Sequence, residues 1–151
     1  MKSISINGDT VASGSWDETC QVWSISKQQQ LHSLEHGSTV EHVRLFSDQK
    51  LGFDLITSSW DKTVKFWRQG QIVKSLQHSR YCYRFDIDKD NRLLAVATGK
   101  DKNGGVSLYR LDTFAKIDEK EIGCTEIVRF NSSATKLIAV KHKAVFELSL
   151  Q

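Results

Sequence analysis

The nine residues Ser15–Trp23, SWDETCQVW, return as Ser59–Trp67, SWDKTVKFW, and a looser third copy, GGVSLYRL, places Tyr109 where the tryptophan stood. Trp23 to Trp67 is 44 residues, Trp67 to Tyr109 is 42, and His36 to His78 is again 42. A recurring unit of that length means that one supersecondary element has been repeated along the chain. Inside each unit the apolar residues fall two apart, as in Val40, VEHVRLF, and Phe85, CYRFDID. That is the period of a strand with one buried face. Four such runs fill a repeat. First strands are SISIN, VEHVRLF, CYRFDID and TEIVRFN; second strands TVASGS, FDLITSS, LLAVATG and KLIAVK; third strands TCQVWSI, TVKFWRQ, GVSLYRL and AVFELSL. The fourth runs, QQLHSLE, QIVKSLQ and AKIDEKEI, are more polar, as outer strands facing water are.

Four short antiparallel strands repeated every 40 to 45 residues are the blade of a β-propeller. The chain is therefore expected to be all-β, a partial propeller of four blades of antiparallel four-stranded sheets, the last three-stranded. The blades fall at about 1–35, 36–77, 78–121 and 122–151. Turns WDET and WDKT are short enough for tight hairpins, whereas KDKNGG is longer and holds a glycine pair. No segment of helical period is present.

Hydrophobic residues make up 39% and charged residues 26% of the chain, so it can bury a core and is not disordered. No apolar run approaches the length of a membrane helix, and MKSISINGDT lacks the apolar core of a signal peptide. A cytoplasmic or nuclear location is expected. Three cysteines, Cys20, Cys82 and Cys124, make neither a disulfide framework nor a zinc site and read as small buried hydrophobes. The net charge of +3 is spread among acidic residues, without the stripe of Lys and Arg that nucleic acid attracts.

These repeats resemble the WD-repeat β-propellers across essentially the whole chain. The family pattern is a His in the loop leading into a blade, a Ser or Thr in the second strand, an Asp in the next turn and a Trp ending the third. Blade two matches at His36, Thr57 or Ser59, Asp61 and Trp67; blade three at His78, Thr98 and Asp101, with Tyr109 for Trp. Blade one has Ser13 or Ser15, Asp17 and Trp23; blade four has Lys143 and Leu148 near the Asp and Trp positions. Trp16-Asp17 and Trp60-Asp61 are turn dipeptides, and the third-strand tryptophans are followed by Ser24 and Arg68 instead of Asp. The Gly that usually precedes the His is replaced by Glu35 and Gln77, which marks a divergent member.

A recurring His, Ser and Asp could be read as a catalytic triad, but a triad needs one nucleophile beside one oxyanion hole. A constellation that repeats with the blade serves the blade: Asp accepts from His and backbone N–H, His reaches the hydroxyl, and the hydroxyl meets the indole N–H. The structural network is accordingly set at His36, Ser59 or Thr57, Asp61 and Trp67, with His78 and Asp101 in blade three and Asp17 and Trp23 in blade one. Alanine at Trp23 or Trp67 is expected to cost about 3 to 5 kcal/mol where the indole is buried. His42 reads as a partly exposed strand residue, and His32 and His142 stand alone. No metal, cofactor or catalytic residue is assigned.

The resemblance implies that partners bind the face carrying the incoming loops and the second-to-third strand turns. The residues before the turn Asp project there: Trp16, Trp60 and Lys100. Arg80 and Tyr81 join them from HSRYCYR, an aromatic and basic surface suited to other proteins or peptides, acidic or phosphorylated ones included. The expected function is thus a non-enzymatic scaffold or adaptor within a larger complex. The alternatives are the substrate-recognition part of a ubiquitin ligase, or a nucleic-acid or lipid-binding surface. The paired-arginine signature of phosphoinositide-binding propellers is absent, the nearest strings being VRLF, YRFD and VRFN. Four blades shaped for a larger ring leave open flanks, to be covered by a homodimer, by a partner fragment, or by further parts of a longer chain.

Overall fold

The computed structural model describes residues 1–88, 90, 92–100, 102–131, 135–141 and 144–149. They form two compact units, Met1–Ser79 and Arg80–Gln151. In the first unit, β1 (Ser3–Asn7), β2 (Thr10–Gly14), β3 (Thr19–Ser24) and β4 (Gln29–Glu35) make one antiparallel sheet in chain order. A second follows from β5 (Val40–Leu45), β6 (Leu55–Ser59), β7 (Thr63–Arg68) and β8 (Gln71–Gln77). The second unit holds a sheet of β9 (Tyr81–Asp88), β10 (Leu93–Lys100), β11 (Asn103–Arg110) and β12 (Lys116–Glu121). Its other sheet has three strands, β13 (Ile127–Phe130), β14 (Lys136–Lys141) and β15 (Ala144–Ser149). Among the described residues the only helical piece is a 3-10 turn, Gln49–Leu51. The chain is all-β, with sheets of four, four, four and three strands.

Alternation along the strands gives each sheet two faces, a leading face toward the following sheet of its unit and a trailing face toward the preceding one. Ala12, Cys20, Val22 and Leu34 on the leading face of the first sheet pack against Val40, Val43, Leu55 and Trp67 on the trailing face of the second. Ser3 and Ser5 hydroxyls accept from the N–H groups of Val43 and Leu45 at 3.3 and 3.0 Å. The second unit repeats this with Ala95, Ala97, Val106 and Leu108 against Val128, Leu137 and Ala139. Asp86 joins its two sheets by accepting from the Phe130 N–H at 3.0 Å.

Close approach of the sheets is possible because the leading positions are small. A Cβ on Gly14 would lie 2.8 Å from the Val40 carbonyl and 2.9 Å from a Val40 methyl group. Gly14→Ala is therefore expected to lower stability by about 1 to 3 kcal/mol through overpacking. A urea midpoint that falls with an unchanged slope is the outcome that checks this.

The turns repeat as faithfully as the strands. Asp17 Oδ1 accepts from the Thr19 N–H at 3.0 Å and the Thr19 hydroxyl at 2.7 Å; Asp61 Oδ1 does the same for Thr63 at 2.9 and 2.6 Å. Glu18 and Lys62 between them take left-handed backbone, φ 69° and 72°, which the side-chain-capped turn holds in place. A ladder irregularity also recurs before Trp23, Trp67 and Tyr109 and re-aims each aromatic.

Two sequence readings are corrected. Cys20 and Cys82 are buried, and burial pushes the Cys20 thiol up to about 12, but Cys124 is only half-buried because it lies in the loop before β13. His42 is buried: it lies on the face opposite Val43, as alternation places it, but that face is itself buried, with Ile56, Ser58, Val64 and Phe66.

Candidate functional site

Two groups of side chains bear on function, a buried polar relay in the second sheet and aromatic-cationic clusters at the turn end of the blades. The relay begins at Trp67, whose indole N–H donates to Thr57 Oγ1 at 2.8 Å. Thr57 Oγ1 lies 2.7 Å from His36 Nε2, and His36 Nδ1 lies 2.8 Å from Asp61 Oδ2. Asp61 Oδ2 also accepts from the Gly37 N–H at 3.0 Å, and Lys65 Nζ stands 3.9 Å away. His36 meets the edge of the Trp67 ring at 6.0 Å between centroids.

One proton arrangement satisfies every group. Thr57 accepts from the indole and donates to Nε2, so the imidazole is neutral and carries its proton on Nδ1, facing Asp61. Burial lowers the His36 pKa from its ordinary value against the opposing pull of Asp61. Burial alone would raise Asp61, but hydrogen bonds from His36, Thr63 and Gly37 outweigh it and hold the carboxyl well below the usual range. Thr57 is fully buried, so its oxygen serves the relay and does not meet a substrate.

The hydroxyl in the relay is Thr57, not Ser59. Ser59 donates to the Ser38 carbonyl at 3.0 Å and accepts from the Asp61 N–H at 3.0 Å, closing the turn instead. Register decides between them: Trp67 lies opposite Leu55, so its indole reaches the residue two positions on and not four. Thr63, a further partner of Asp61, was signalled by the Thr shared by WDET and WDKT.

The other copies differ. In the first sheet Ser13, Asp17 and Trp23 occupy the corresponding places, but Trp23 is 40% exposed where Trp67 is 4%. In the third sheet Thr98 Oγ1 donates to the Gly105 carbonyl at 3.4 Å, and burial raises the Tyr109 phenol to about 12. His78 ends the second sheet with its N–H on the Lys62 carbonyl at 2.8 Å. Asp101, like His142 and Lys143, lies outside the described residues.

At the turn end of the first unit, Trp16 is 68% exposed and Trp60 is partly buried. Lys2 Nζ sits 5.3 Å from the Trp16 ring centroid and 5.7 Å from that of Trp60, and pairs with Glu41 at 3.1 Å. Sequence reasoning missed Lys2 and Glu41, which carry no repeat signal. In the second unit Lys100 Nζ lies 5.5 Å over the Tyr81 ring, and Arg80 Nη2 pairs with Glu121 at 2.9 Å. Trp16 and Trp60 thus gather around one lysine, and Arg80, Tyr81 and Lys100 sit together at one blade end.

A family model described as WD domain, G-beta repeat matches residues 2–24 and 28–68. The Poly(A)+ RNA export protein of Schizosaccharomyces pombe is 34% identical over 96 residues, 62% of this chain and 27% of the relative. Eukaryotic translation initiation factor 3 subunit I of Debaryomyces hansenii is 25% identical over 135 residues, 86% of this chain and 38% of the relative. The U3 small nucleolar RNA-associated protein 15 homolog of Gallus gallus is 33% identical over 76 residues, 48% of this chain and 14% of the relative. The chain therefore spans well under half the length of these relatives. Among solved structures, the computationally designed Ika4 protein superposes with a TM-score of 0.81 at 19% identity, over 99% of this chain and 91% of that one. The designed Ika8 protein gives 0.80 at 20%, over 99% of this chain and 45% of that one. The repeats at residues 2–24 and 28–68 are thus repeats of the WD40 family, and the four sheets of the chain share the fold of the designed proteins on which it superposes.

Proposed function

We propose that this chain is a non-enzymatic interaction module that holds protein partners within a larger assembly, and that they bind the turn end of its blades. The observation that carries the reading is Trp16: a large aromatic left in water beside Lys2 and Trp60, on a turn that the Asp17–Thr19 bonds hold in one shape. Rigid aromatics with a cation beside them are the residue types that dominate interface energies. In the second unit Arg80 and Lys100 beside Tyr81 favour an acidic or phosphorylated peptide. Glu121 is a solvent-exposed partner for Arg80, so an incoming carboxylate or phosphate can replace it at little cost. Relatives whose names include an initiation-factor subunit and two RNA-linked proteins support membership of a multi-component assembly, in the cytoplasm or nucleus.

Quantitative co-purification from cells, comparing the native chain with Trp16→Ala and with the double change Arg80→Ala and Lys100→Ala, tests this. Each variant should lose a defined set of partners by roughly tenfold, the change that about 1.4 kcal/mol produces. Their melting temperatures should stay at the native value, since the altered side chains are outside the core. Unchanged recovery from both variants would remove the turn end as the binding face.

A further inference from the structure

At the end of the first unit opposite the Asp-capped turns, the two sheets leave a space between them. This cavity of about 240 Å³ has Val22 and Leu34 of the first sheet on one side and Leu55 and Trp67 of the second on the other. Leu45 and Phe46 extend its apolar wall. The connection between β5 and β6 holds that wall in shape. The Phe46 N–H donates to the Asp54 carbonyl at 2.8 Å, and the Asp54 N–H donates to the Trp67 carbonyl at 2.9 Å. The Phe46 ring meets Phe53, and Phe53 meets Phe66, edge to face at 5.6 and 5.0 Å between centroids.

Sheet packing alone does not create this space. Pairing register puts Leu108, Asp118, Lys120, Leu137 and Leu148 of the second unit where the first has Val22, His32, Leu34, Leu55 and Trp67. The cavity they line holds about 10 Å³, room for one water at most. Its carboxylate, Asp118, also has a cation of its own, Lys120 Nζ at 3.3 Å.

In the first unit the buried side chains Val22, Leu34, Leu55 and Trp67 make an apolar floor, and the more exposed Asn7, Thr10, His32, Asp54 and Gln69 make a polar mouth. Asp54 Oδ2 accepts from the Gln69 N–H at 2.8 Å and so caps the turn before β8. Asp54 Oδ1 and the side chains of Asn7, Thr10, His32 and Gln69 make no hydrogen bond among the described residues. His32 is positioned by shape: a Cβ on Gly70 would lie 2.5 Å from its Nδ1, so the imidazole rests on backbone that carries no side chain. Among the described residues that line the cavity, Asp54 is the one carboxylate, and there is no Lys or Arg. An apolar floor, a mouth rich in acceptors and one uncompensated negative charge make a site for a cation on an apolar stem.

We propose that this cavity binds an arginine side chain presented by a protein partner, with its aliphatic stem against Val22, Leu34, Leu55 and Trp67 and its guanidinium on Asp54 Oδ1. The volume is below the roughly 300 Å³ at which sites for drug-sized ligands begin, so it suits one side chain. Guanidinium fits the mouth better than an ammonium does, because it is more weakly hydrated and carries a planar fork of donors. That fork can serve Asp54 and the amide oxygens of Asn7 and Gln69 together. A polypeptide source follows from what adjoins the cavity. A second space of about 350 Å³ shares Phe46, Asp54 and Gln69 with the first and is lined further by Ser47, Asp48 and Arg68. Arg68 is exposed and makes no hydrogen bond or ion pair among the described residues, so it is available to the main-chain carbonyls on either side of the inserted arginine.

The test titrates the isotope-labelled full chain with the blocked peptide acetyl-Gly-Gly-Arg-Gly-Gly-amide and follows the amide chemical shifts. Changes should concentrate at Asn7, Thr10, His32, Asp54 and Gln69, with a Kd of about 1 mM or below, the scale of one anchoring side chain. The same peptide with citrulline in place of arginine has equal shape and no charge, and should bind roughly tenfold more weakly. Agmatine, which has the head and stem without the main chain, should also bind more weakly. Asp54→Asn removes the charge and keeps an acceptor for the Gln69 N–H, whereas Gln69→Lys leaves Asp54 in place and gives it a competing cation. Each should lower the affinity roughly tenfold. Where Asp54→Asn unsettles the turn, Gln69→Lys decides, since the cap is intact in it. A peptide that moves none of the mouth amides, a citrulline peptide that binds as well, or a Gln69→Lys chain that binds as the native chain does overturns the proposal. Agmatine binding as tightly as the peptide assigns the cavity to a free small cation and overturns the polypeptide source. The cavity lies at the opposite end of the sheets from Trp16, so loss of either site is read without the other.

Discussion

Replacing Trp67 with alanine should lower the stability of the first unit by about 3 to 5 kcal/mol, the range for removing a large buried aromatic. Trp23→Ala, at the same place one blade earlier, should cost only about 1 to 2 kcal/mol, because part of the indole is already in water. Trp67 fills the contact between the two sheets with Val22, Leu34 and Leu55, and its N–H anchors the relay through Thr57. Removing it leaves a cavity at the sheet contact and leaves Thr57 one donor short. Trp23 has the same sequence context but no sheet behind it among the described residues, so the condition of a buried indole, on which the expected cost rested, is met by Trp67 alone. All four tryptophans lie within Met1–Ser79, so fluorescence-detected urea unfolding of each variant reports that unit. Equal losses at the two positions would mean that Trp23 is covered in solution.

The contrast between these tryptophans marks where the sequence stops being readable. Strand identity was legible because apolar residues two apart, punctuated by SWDET and SWDKT, admit no helical reading, and the fourth strands announced their outer position by polarity. Those are local signals, fixed by one strand and its turn. Choosing Thr57 over Ser59 required the pairing register, in which Trp67 lies opposite Leu55, and both hydroxyls have the same strand parity. His42 escaped because alternation assigns it to the face opposite Val43, and only packing reveals that this face is buried as well, with Ile56, Ser58 and Phe66. Lys2 escaped for a different reason: it precedes the first strand, has no counterpart in the repeat, and gains its meaning only from Trp16, Trp60 and Glu41 arriving from other strands and turns. What depends on neighbours distant in sequence is packing information, which periodicity does not carry.

Asp61→Asn should be the most damaging single-atom-scale change in the second blade, costing about 3 kcal/mol at neutral pH. The carboxylate accepts four hydrogen bonds, from the Gly37 N–H, the Thr63 N–H, the Thr63 hydroxyl and His36. An amide turns one of its two acceptor atoms into a donor, so either the His36 and Gly37 pair or the two Thr63 groups face an N–H with nothing to accept them. Losing buried bonds to a charged acceptor costs about 1.5 to 3 kcal/mol each where the donor is left unpaired. The native chain should also weaken with acid in two windows. His36 is held below its ordinary 6.5, so the unfolded chain protonates first and stability, complete above that value, declines as pH falls below it. Asp61 is held below its ordinary 3.8, so its contribution is present above that value and declines as pH falls further. Asp61→Asn removes the second of these titrations and keeps the first, because burial of His36 remains. Urea unfolding followed from neutral pH to below pH 4 should therefore show the variant starting lower but losing less over the last stretch. Curves that stay parallel throughout would mean that the hydrogen bonds from His36, Thr63 and Gly37 do not hold the Asp61 carboxyl below its ordinary value in the folded chain.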